Sequence, residues 1–299
     1  MSFFSEYRKS LKMIETEEVF DLLIFRPLGF LIMKIFYRTN VTPNFLTGIA
    51  LIFGVAAGIL FTQNQKYLLI IGCIILAVSN AFDCADGQLA RAKKNGTRFG
   101  RIFDGIIDYI VYIFIYVGMA LHLFLNAMKG AQYLWPLQDM YYLWWVFVAL
   151  AGASTSIQAL VFDGVRNDFH NYTVGNNNST MMKEYEEYQA GYEALRNQKG
   201  HLREKFLYKV YLSYLNVQIK SSASVNTSVD PQCYYRNNRI IIRLWGFVGS
   251  TTHLVFLIGC GLFGRFDIYV WGVIFPINIL AFVLWLFQKR INRKTIRKT

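Results

Sequence analysis

The sequence is poor in cysteine and in acidic residues. Asp and Glu number 19 against 31 Lys and Arg, which leaves a net charge of +12. Residues 1–16 are polar and charged, so no cleavable signal peptide is expected. The cysteines show no paired spacing, which argues against a disulfide framework and against a zinc pattern. They are Cys73, Cys84, Cys233 and Cys260.

Apolar residues dominate what is present. Hydrophobic residues make up 54% of the 299 positions and aromatic residues 17%. Apolar runs of about 20 residues recur, which is the length needed to cross the hydrocarbon core of a bilayer. They lack the alternation over about ten residues that a membrane β-barrel would show. The sequence therefore predicts an all-α, polytopic membrane helical bundle.

Six transmembrane spans are predicted, near 43–62, 67–82, 100–127, 141–162, 240–264 and 268–287. The earlier run 19–38 is interrupted by Asp21, Arg26, Pro27 and Lys34. It predicts an interfacial helix whose cationic side chains reach lipid headgroups. Between spans four and five, tyrosines at helical spacing predict a helical insert.

These elements divide the chain into five parts. We expect an N-terminal tail and interfacial helix (1–40), a membrane core with spans one to four (41–163), a cytoplasmic helical insert (164–238), spans five and six (239–288) and a basic tail (289–299).

Basic residues collect between the apolar runs on one side of the predicted membrane. The opposite loops hold only Lys66, Lys129 and Arg265. The positive-inside rule then places both termini and the insert in the cytoplasm. The excess positive charge is thus explained by membrane orientation, and no nucleic-acid partner is expected. We expect an integral protein of a bacterial inner membrane.

Four aspartates stand beside membrane-length apolar runs, where carboxylates are costly and mark functional sites. Asp83 and Asp86 are three residues apart, and Asp104 and Asp108 are four apart. On a helix each pair shares one face. Two such helices facing each other would bring four carboxylates together, and divalent cations with oxygen ligands would resolve their repulsion.

The spacing Asp-x2-Asp-Gly-x2-Ala-Arg-x8-Gly-x3-Asp-x3-Asp closely resembles the signature of the CDP-alcohol phosphatidyltransferase family. The positions between the aspartates are Gly87, Ala90, Arg91 and Gly100. The six-span plan and the segment Thr42–Thr47 also resemble that family. The insert 163–238 and the basic tail have no counterpart in its minimal pattern.

The resemblance implies that a phosphatidyl group moves from CDP-diacylglycerol to a polyol or polyol phosphate, such as inositol phosphate or glycerol phosphate, with release of CMP. It implies that Asp83, Asp86 and Asp104 hold two Mg²⁺ or Mn²⁺ ions. Asp108 would also face the metals and act as general base. It further implies a homodimer.

The nucleotide would lie along the small residues between the aspartates. The resemblance assigns it Gly87, Ala90, Arg91 and Gly100, with small side chains that let it approach the backbone. Asn44 and Thr47 in span one are candidates for touching it, although packing of a polar pair between helices is an equal alternative.

Arginines near the cytoplasmic ends of spans four and five suit an anionic acceptor. The alternative for them is ordinary snorkelling to lipid phosphates. They are Arg166, Arg236, Arg239 and Arg243.

Other functions stay open at this point. Within the same family, a phosphocholine-type or phosphoethanolamine-type headgroup could pass from a CDP-alcohol to a lipid hydroxyl on diacylglycerol or ceramide. A cation transporter could use intramembrane aspartates as ligands. Five positive charges in the 91–101 loop disfavour a cation pathway and favour a nucleotide diphosphate. A membrane scaffold would leave the aspartate spacing without a reason.

Overall fold

A computed structural model describes residues 7, 14–96, 98–134, 139–174, 177–196, 198, 200–221 and 229–296. Within these residues the backbone is almost entirely helical and contains no strand. The α-helices are α1 (Arg26–Tyr37), α2 (Pro43–Phe61), α3 (Lys66–Lys93), α4 (Arg98–Met128), α5 (Leu143–Thr173), α6 (Asn177–Arg196), α7 (Leu202–Ser221), α8 (Pro231–Trp245), α9 (Ser250–Leu262), α10 (Phe266–Gly272) and α11 (Asn278–Ile296).

Six helical segments in the described part of the chain are long and apolar enough to cross a membrane. They are Pro43–Phe61, Lys66–Lys93, Phe103–Met128, Leu143–Thr173, Pro231–Leu262 and Phe266–Thr295. The prediction of a polytopic all-α membrane protein with six spans is confirmed.

The helices run further than the apolar runs that predicted them. Span two was expected to end near residue 82, but α3 continues to Lys93. Its last three turns keep one face buried, including Ala85 and Leu89. A change from apolar to polar composition therefore marks the membrane surface here, whereas the helix itself ends later, at Lys94 in the left-handed conformation (φ 53°).

Contacts divide the chain into two compact units. The first comprises described residues of Met1–Ala159 and Gly246–Ala281, and the second comprises those of Leu160–Trp245 and Phe282–Thr299. The division differs from the five predicted parts, because α5 and α11 each contribute to both units. The predicted domain boundaries stay predictions.

The second unit contains the predicted helical insert. Helices α6 and α7 pair through aromatic contacts, and the rings of Tyr188 and Tyr211 lie 4.4 Å apart. The hydroxyl of Tyr211 donates a 2.8 Å hydrogen bond to Glu184. The tyrosine spacing thus indicated a packing face, and the helical character of the insert is confirmed.

In the first unit, α2 packs closely along both α3 and α4. Glycine makes the second crossing possible, since a Cβ at Gly58 would lie 2.6 Å from the carbonyl carbon of Phe114. Helices α3 and α4 approach each other mainly through side chains. Helix α2 therefore packs against both helices that carry the motif aspartates.

The N-terminal segment is helical, as predicted, but Arg26 does not reach outward. Its Nη2 lies 2.9 Å from Glu17 and its Nε 2.8 Å from Asp21. Helix α1 packs on α3, where a Cβ at Gly29 would lie 2.9 Å from that of Cys84. The expectation that cationic side chains of this segment reach lipid headgroups is wrong for Arg26, because it forms ion pairs with two buried carboxylates instead.

Glu18 fixes the same segment to the start of α9. Its carboxylate accepts hydrogen bonds from the backbone N–H groups of Thr251 (3.2 Å) and Thr252 (2.9 Å). These are donors that the first turn of a helix leaves without intrahelical partners. Gly249 lies beside it, and a Cβ there would displace the Glu18 carboxylate from its present position.

Candidate functional site

The four motif aspartates meet where α3 and α4 face each other. One potential ligand oxygen from each of Asp83, Asp86 and Asp104 lies within 4.8 Å of the others. Asp108 lies within hydrogen-bonding reach of Asp83, as Asp104 does of Asp86. The i,i+3 and i,i+4 spacings predict this convergence, and the antiparallel register of the two helices produces it.

The four carboxyl groups differ in exposure. Asp86 is buried, with 5% of its surface exposed, Asp83 and Asp104 are half-buried, and Asp108 is exposed. Two carboxyl groups share a hydrogen bond only if one carries a proton. A divalent cation takes the place of such protons and accepts carboxylate oxygens as ligands. The donor set therefore fits hard divalent ions.

Helix α2 orients the most buried carboxylate. The hydroxyl of Thr47 lies 2.5 Å from Oδ2 of Asp86 and 3.2 Å from the carbonyl oxygen of Pro43. Thr47 is only 3% exposed. The sequence offered Thr47 as a nucleotide contact or as part of a polar pair between helices. The structure shows its hydroxyl on Asp86, and the nucleotide contact stays a prediction. Asn44, proposed with it, is exposed.

An arginine lies beside the small residues between the aspartates. Gly87 follows Asp86 directly, and a Cβ there would lie 3.4 Å from Nη1 of Arg91. Arg91 interacts electrostatically with Asp86, Glu17 and Arg26. The Arg91 side chain thus runs back along α3 toward the carboxylates. Two further motif positions, the half-buried Ala90 and Gly100, flank this stretch on α3 and α4.

A buried charged group behind α3 was not predicted as part of the site. It consists of Glu17, Asp21 and Arg26, and Asp21 also accepts a 3.4 Å hydrogen bond from Cys84, next to Asp83. Burial raises the pKa of the Asp21 carboxyl, and Arg26 opposes this shift. Burial acts to lower the pKa of Arg26, but Asp21 and Glu17 outweigh it and the pKa rises. The sequence signal was the presence of both charge signs inside the apolar run 19–38.

The predicted acceptor arginines lie in the second unit. Arg166 pairs with Asp163 at 2.6 Å, and its guanidinium lies 5.6 Å from the ring centroid of Phe162. The other three share one exposed face of α8, at positions 236, 239 and 243. Among described residues, no hydrogen bond or ion pair joins Arg166 to them, and the acceptor pocket stays a prediction.

Comparison with known proteins points to one family. Residues 40–178 match the family model described as CDP-alcohol phosphatidyltransferase. A "Bifunctional IPC transferase and DIPP synthase" of Aquifex aeolicus is 32% identical over 112 residues, which make up 38% of this chain and 22% of that protein. An "Archaetidylinositol phosphate synthase" of Pyrococcus horikoshii is 40% identical over 83 residues, 27% of this chain and 42% of that protein. The chain thus spans less than half the length of either relative.

Proposed function

From the premise that residues 40–178 form a CDP-alcohol phosphatidyltransferase domain, we propose that the protein transfers a phosphatidyl group from CDP-diacylglycerol to a polar alcohol and releases CMP. The observation that carries the proposal is the convergence of Asp83, Asp86 and Asp104 within 4.8 Å, with Asp108 adjoining them. A site of four carboxylates at the end of two membrane spans suits a pyrophosphate-bearing lipid whose reacting phosphorus lies at the membrane surface.

We infer that Asp83, Asp86 and Asp104 hold two Mg²⁺ or Mn²⁺ ions, with Asp108 the loosest ligand. Oxygen donors are those that both ions prefer. When bound, such ions neutralise phosphate charge and stabilise the leaving phosphate. Thr47 keeps Asp86 in a fixed orientation, as hydrogen bonds to ligating carboxylates do in other metal sites.

Asp108 is the group proposed to activate the acceptor. It is exposed, so an incoming hydroxyl has access to it. It accepts the hydroxyl proton while the alcohol oxygen forms a bond to the lipid-linked phosphorus. The bond from that phosphorus to the CMP oxygen breaks, and CMP leaves with the electron pair.

The nucleotide is proposed to lie over Gly87, Ala90 and Gly100, whose small side chains let it approach the backbone. Arg91 supplies a guanidinium for the phosphate that becomes charged on leaving. Asn44, exposed at the start of α2, is kept as a further candidate contact.

An inositol-phosphate-type acceptor is favoured by the relatives, one of which is named as an archaetidylinositol phosphate synthase. The arginines at 166, 236, 239 and 243 are the candidates for its phosphate. We further propose a homodimer in the cytoplasmic membrane of a prokaryote, with the site facing the cytoplasm. The charge distribution supports that orientation, and the relatives come from a bacterium and an archaeon.

A CMP-release assay on the purified full chain tests the proposal. CDP-diacylglycerol, CDP-choline and CDP-ethanolamine are each combined with inositol phosphate, glycerol phosphate, inositol, diacylglycerol or ceramide, in Mg²⁺ or Mn²⁺. We expect CMP only from CDP-diacylglycerol with a polyol phosphate and a metal ion. Release from CDP-choline onto a lipid hydroxyl would establish the headgroup-transfer alternative instead. Absence of release from every donor would reject the enzyme assignment.

A further inference from the structure

We propose that Asn80 and Tyr112 bind the ester linkage of the lipid substrate, just inside the membrane from the aspartates. This inference rests on the proposed function and adds to it two residues outside the family signature. Both polar side chains belong to the spans that carry the motif and lie one helical turn deeper in the membrane than the reacting groups.

The register of α3 and α4 places these side chains at the same level. Asp86 meets Asp104 and Asp83 meets Asp108, so the residue numbers of facing positions sum to about 190. Continued by one turn, this register brings Asn80 opposite Tyr112. At 1.5 Å per residue, they lie about 4.5 Å and 6 Å deeper than Asp83 and Asp108.

Tyr112 lies one turn beyond Asp108 on the same face of α4. The groups that interact electrostatically with its hydroxyl are Asp108, Tyr116, Glu18 and Asp83, which lie on three different segments. The residue is 37% exposed, so the ring borders an open face of the bundle. We therefore place the hydroxyl where a membrane lipid would meet the aspartates.

Both groups have a hydrogen atom to donate. The side-chain Nδ2 of Asn80 is buried and has no hydrogen-bond partner among the described residues. Within the described part of the chain, the Tyr112 hydroxyl also makes no hydrogen bond. Inside a bilayer no bulk water compensates such donors, so a buried amide N–H without an acceptor is costly. A ligand that brings an acceptor removes this cost.

The next hydroxyl along α4 is different, because its hydrogen-bond capacity is already used. Thr155 donates to the carbonyl oxygen of Gly152 at 2.9 Å. The Tyr116 hydroxyl therefore donates to Thr155 at 2.8 Å, and Tyr269 donates to Tyr116 at 2.9 Å. This closed chain ties spans three, four and six together. Among the described residues at this level of α3 and α4, Asn80 and Tyr112 are thus donors available to a substrate.

The position of the pair selects the chemical class of its ligand. Along α3 and α4 the proposed order is nucleotide at Gly87 and Arg91, phosphorus at the aspartates, then Asn80 and Tyr112. In a CDP-diacylglycerol the glycerol and its two ester groups follow the phosphorus on the membrane side. Ester carbonyl oxygens accept hydrogen bonds well, whereas ether oxygens are weaker acceptors. The pair therefore favours an ester-linked over an ether-linked lipid.

The test compares CMP release from two CDP-lipids of equal chain length, one with ester and one with ether linkages, in the purified full chain. We expect the wild type to have a KM about fivefold lower for the ester lipid, the effect of one or two hydrogen bonds. Asn80→Leu and Tyr112→Phe should raise the KM of the ester lipid toward that of the ether lipid. Neither change should alter the KM of the ether lipid or the kcat of either.

Two matched variants provide controls. Tyr109→Phe alters an exposed tyrosine on the same helix, and Asn126→Leu alters an amide whose Nδ2 is already bonded to Asn64 and His122. Both should keep the wild-type ester preference. For any variant without turnover, thermal stabilisation of the metal-loaded protein by each CDP-lipid reports binding directly.

The outcomes separate the two proposals. Equal KM values for the two lipids in the wild type, or an ester preference that survives in the Asn80→Leu, Tyr112→Phe double variant, would overturn the inference and leave the proposed function intact. If the wild type neither releases CMP from nor is stabilised by either lipid, the proposed donor is wrong and the inference is rejected with it.

Discussion

The hydroxyl of Thr47 lies 2.5 Å from Oδ2 of Asp86, so a residue near the start of α2 fixes a carboxylate 39 positions later in the chain. Both residues are buried. This hydrogen bond sets which way Asp86 faces and leaves its other oxygen for the shared site. The geometry of the aspartate cluster thus depends on a helix that carries none of its carboxylates.

Thr47→Val should weaken metal binding without unfolding the protein, because it removes the hydroxyl and keeps the side-chain shape. Hydrogen bonds to charged groups contribute about 1.5–3 kcal/mol, so we expect the metal concentration for half-maximal CMP release to rise roughly tenfold. Thr47→Ser, which keeps the hydroxyl, should stay near wild type. An unchanged metal requirement in Thr47→Val would show that this bond does not orient a metal ligand.

Asp108→Asn should retain binding of the CDP-lipid and lose turnover, because the amide cannot accept the acceptor proton. The loss in kcat should be roughly a hundredfold or more. The measurement pairs CMP release with metal-dependent binding of the nucleotide by calorimetry. Near-normal turnover would contradict the assignment of Asp108 as general base.

Asp83→Ala and Asp104→Ala should each abolish metal-dependent nucleotide binding, since each removes an oxygen from the group within 4.8 Å. Asp139→Ala, which alters an exposed aspartate in the loop after span three, should bind the metal and nucleotide as the wild type does. Survival of metal-dependent affinity in both site variants would refute the metal assignment.

Arg26→Met should strongly destabilise the fold, because it leaves Glu17 and Asp21 buried without their shared cation. Breaking a buried pair in this way costs about 3–5 kcal/mol in unfolding free energy. Arg166→Met removes an arginine from an ion pair whose side chains are 36% and 43% exposed, and should cost below about 1 kcal/mol. Chemical denaturation of the two variants in detergent measures the difference.

The pH dependence of Arg26→Met follows from Asp21. Burial raises the pKa of this carboxyl above its ordinary 3.8, and removal of Arg26 takes away the group that opposes the rise. The folded state then binds a proton more readily than the unfolded state, so the loss of stability should shrink as pH falls through the raised folded pKa toward 3.8. A deficit that does not change with pH would show that lost packing, not buried charge, causes it.

Much of the site could be predicted because it is local in sequence. The spacings 83–86 and 104–108 fix helical faces, and the short loop between α3 and α4 fixes their antiparallel pairing. The six spans could also be predicted from the sequence, since bilayer thickness sets their length and apolar composition. The helix ends were harder to predict, because α3 and α5 continue as polar helices after their apolar runs stop.

The remaining features depend on contacts that no local pattern encodes. Arg26 looked like a snorkelling cation because its partners Glu17 and Asp21 become buried only when α1 packs on α3. For Thr47 the sequence left nucleotide contact and polar packing between helices as equal alternatives, because its bond to Asp86 joins two helices. In both cases the residue type indicated polarity at a defined place, and the choice of partner came from tertiary packing.

More than 230 residues separate Glu18 from the first turn of α9, yet the Glu18 carboxylate accepts the hydrogen bonds that this turn donates. During synthesis, Glu18 leaves the ribosome more than 230 residues before its hydrogen-bond partners do. The N-terminal segment, with its carboxylates at 17, 18 and 21, leaves the ribosome first and lacks this partner until the fifth span has been inserted. The N-terminal segment can therefore form its hydrogen bonds to α9 only after this helix has been synthesised. A nascent chain arrested before residue 250 lacks the backbone donors of Thr251 and Thr252 that bind Glu18.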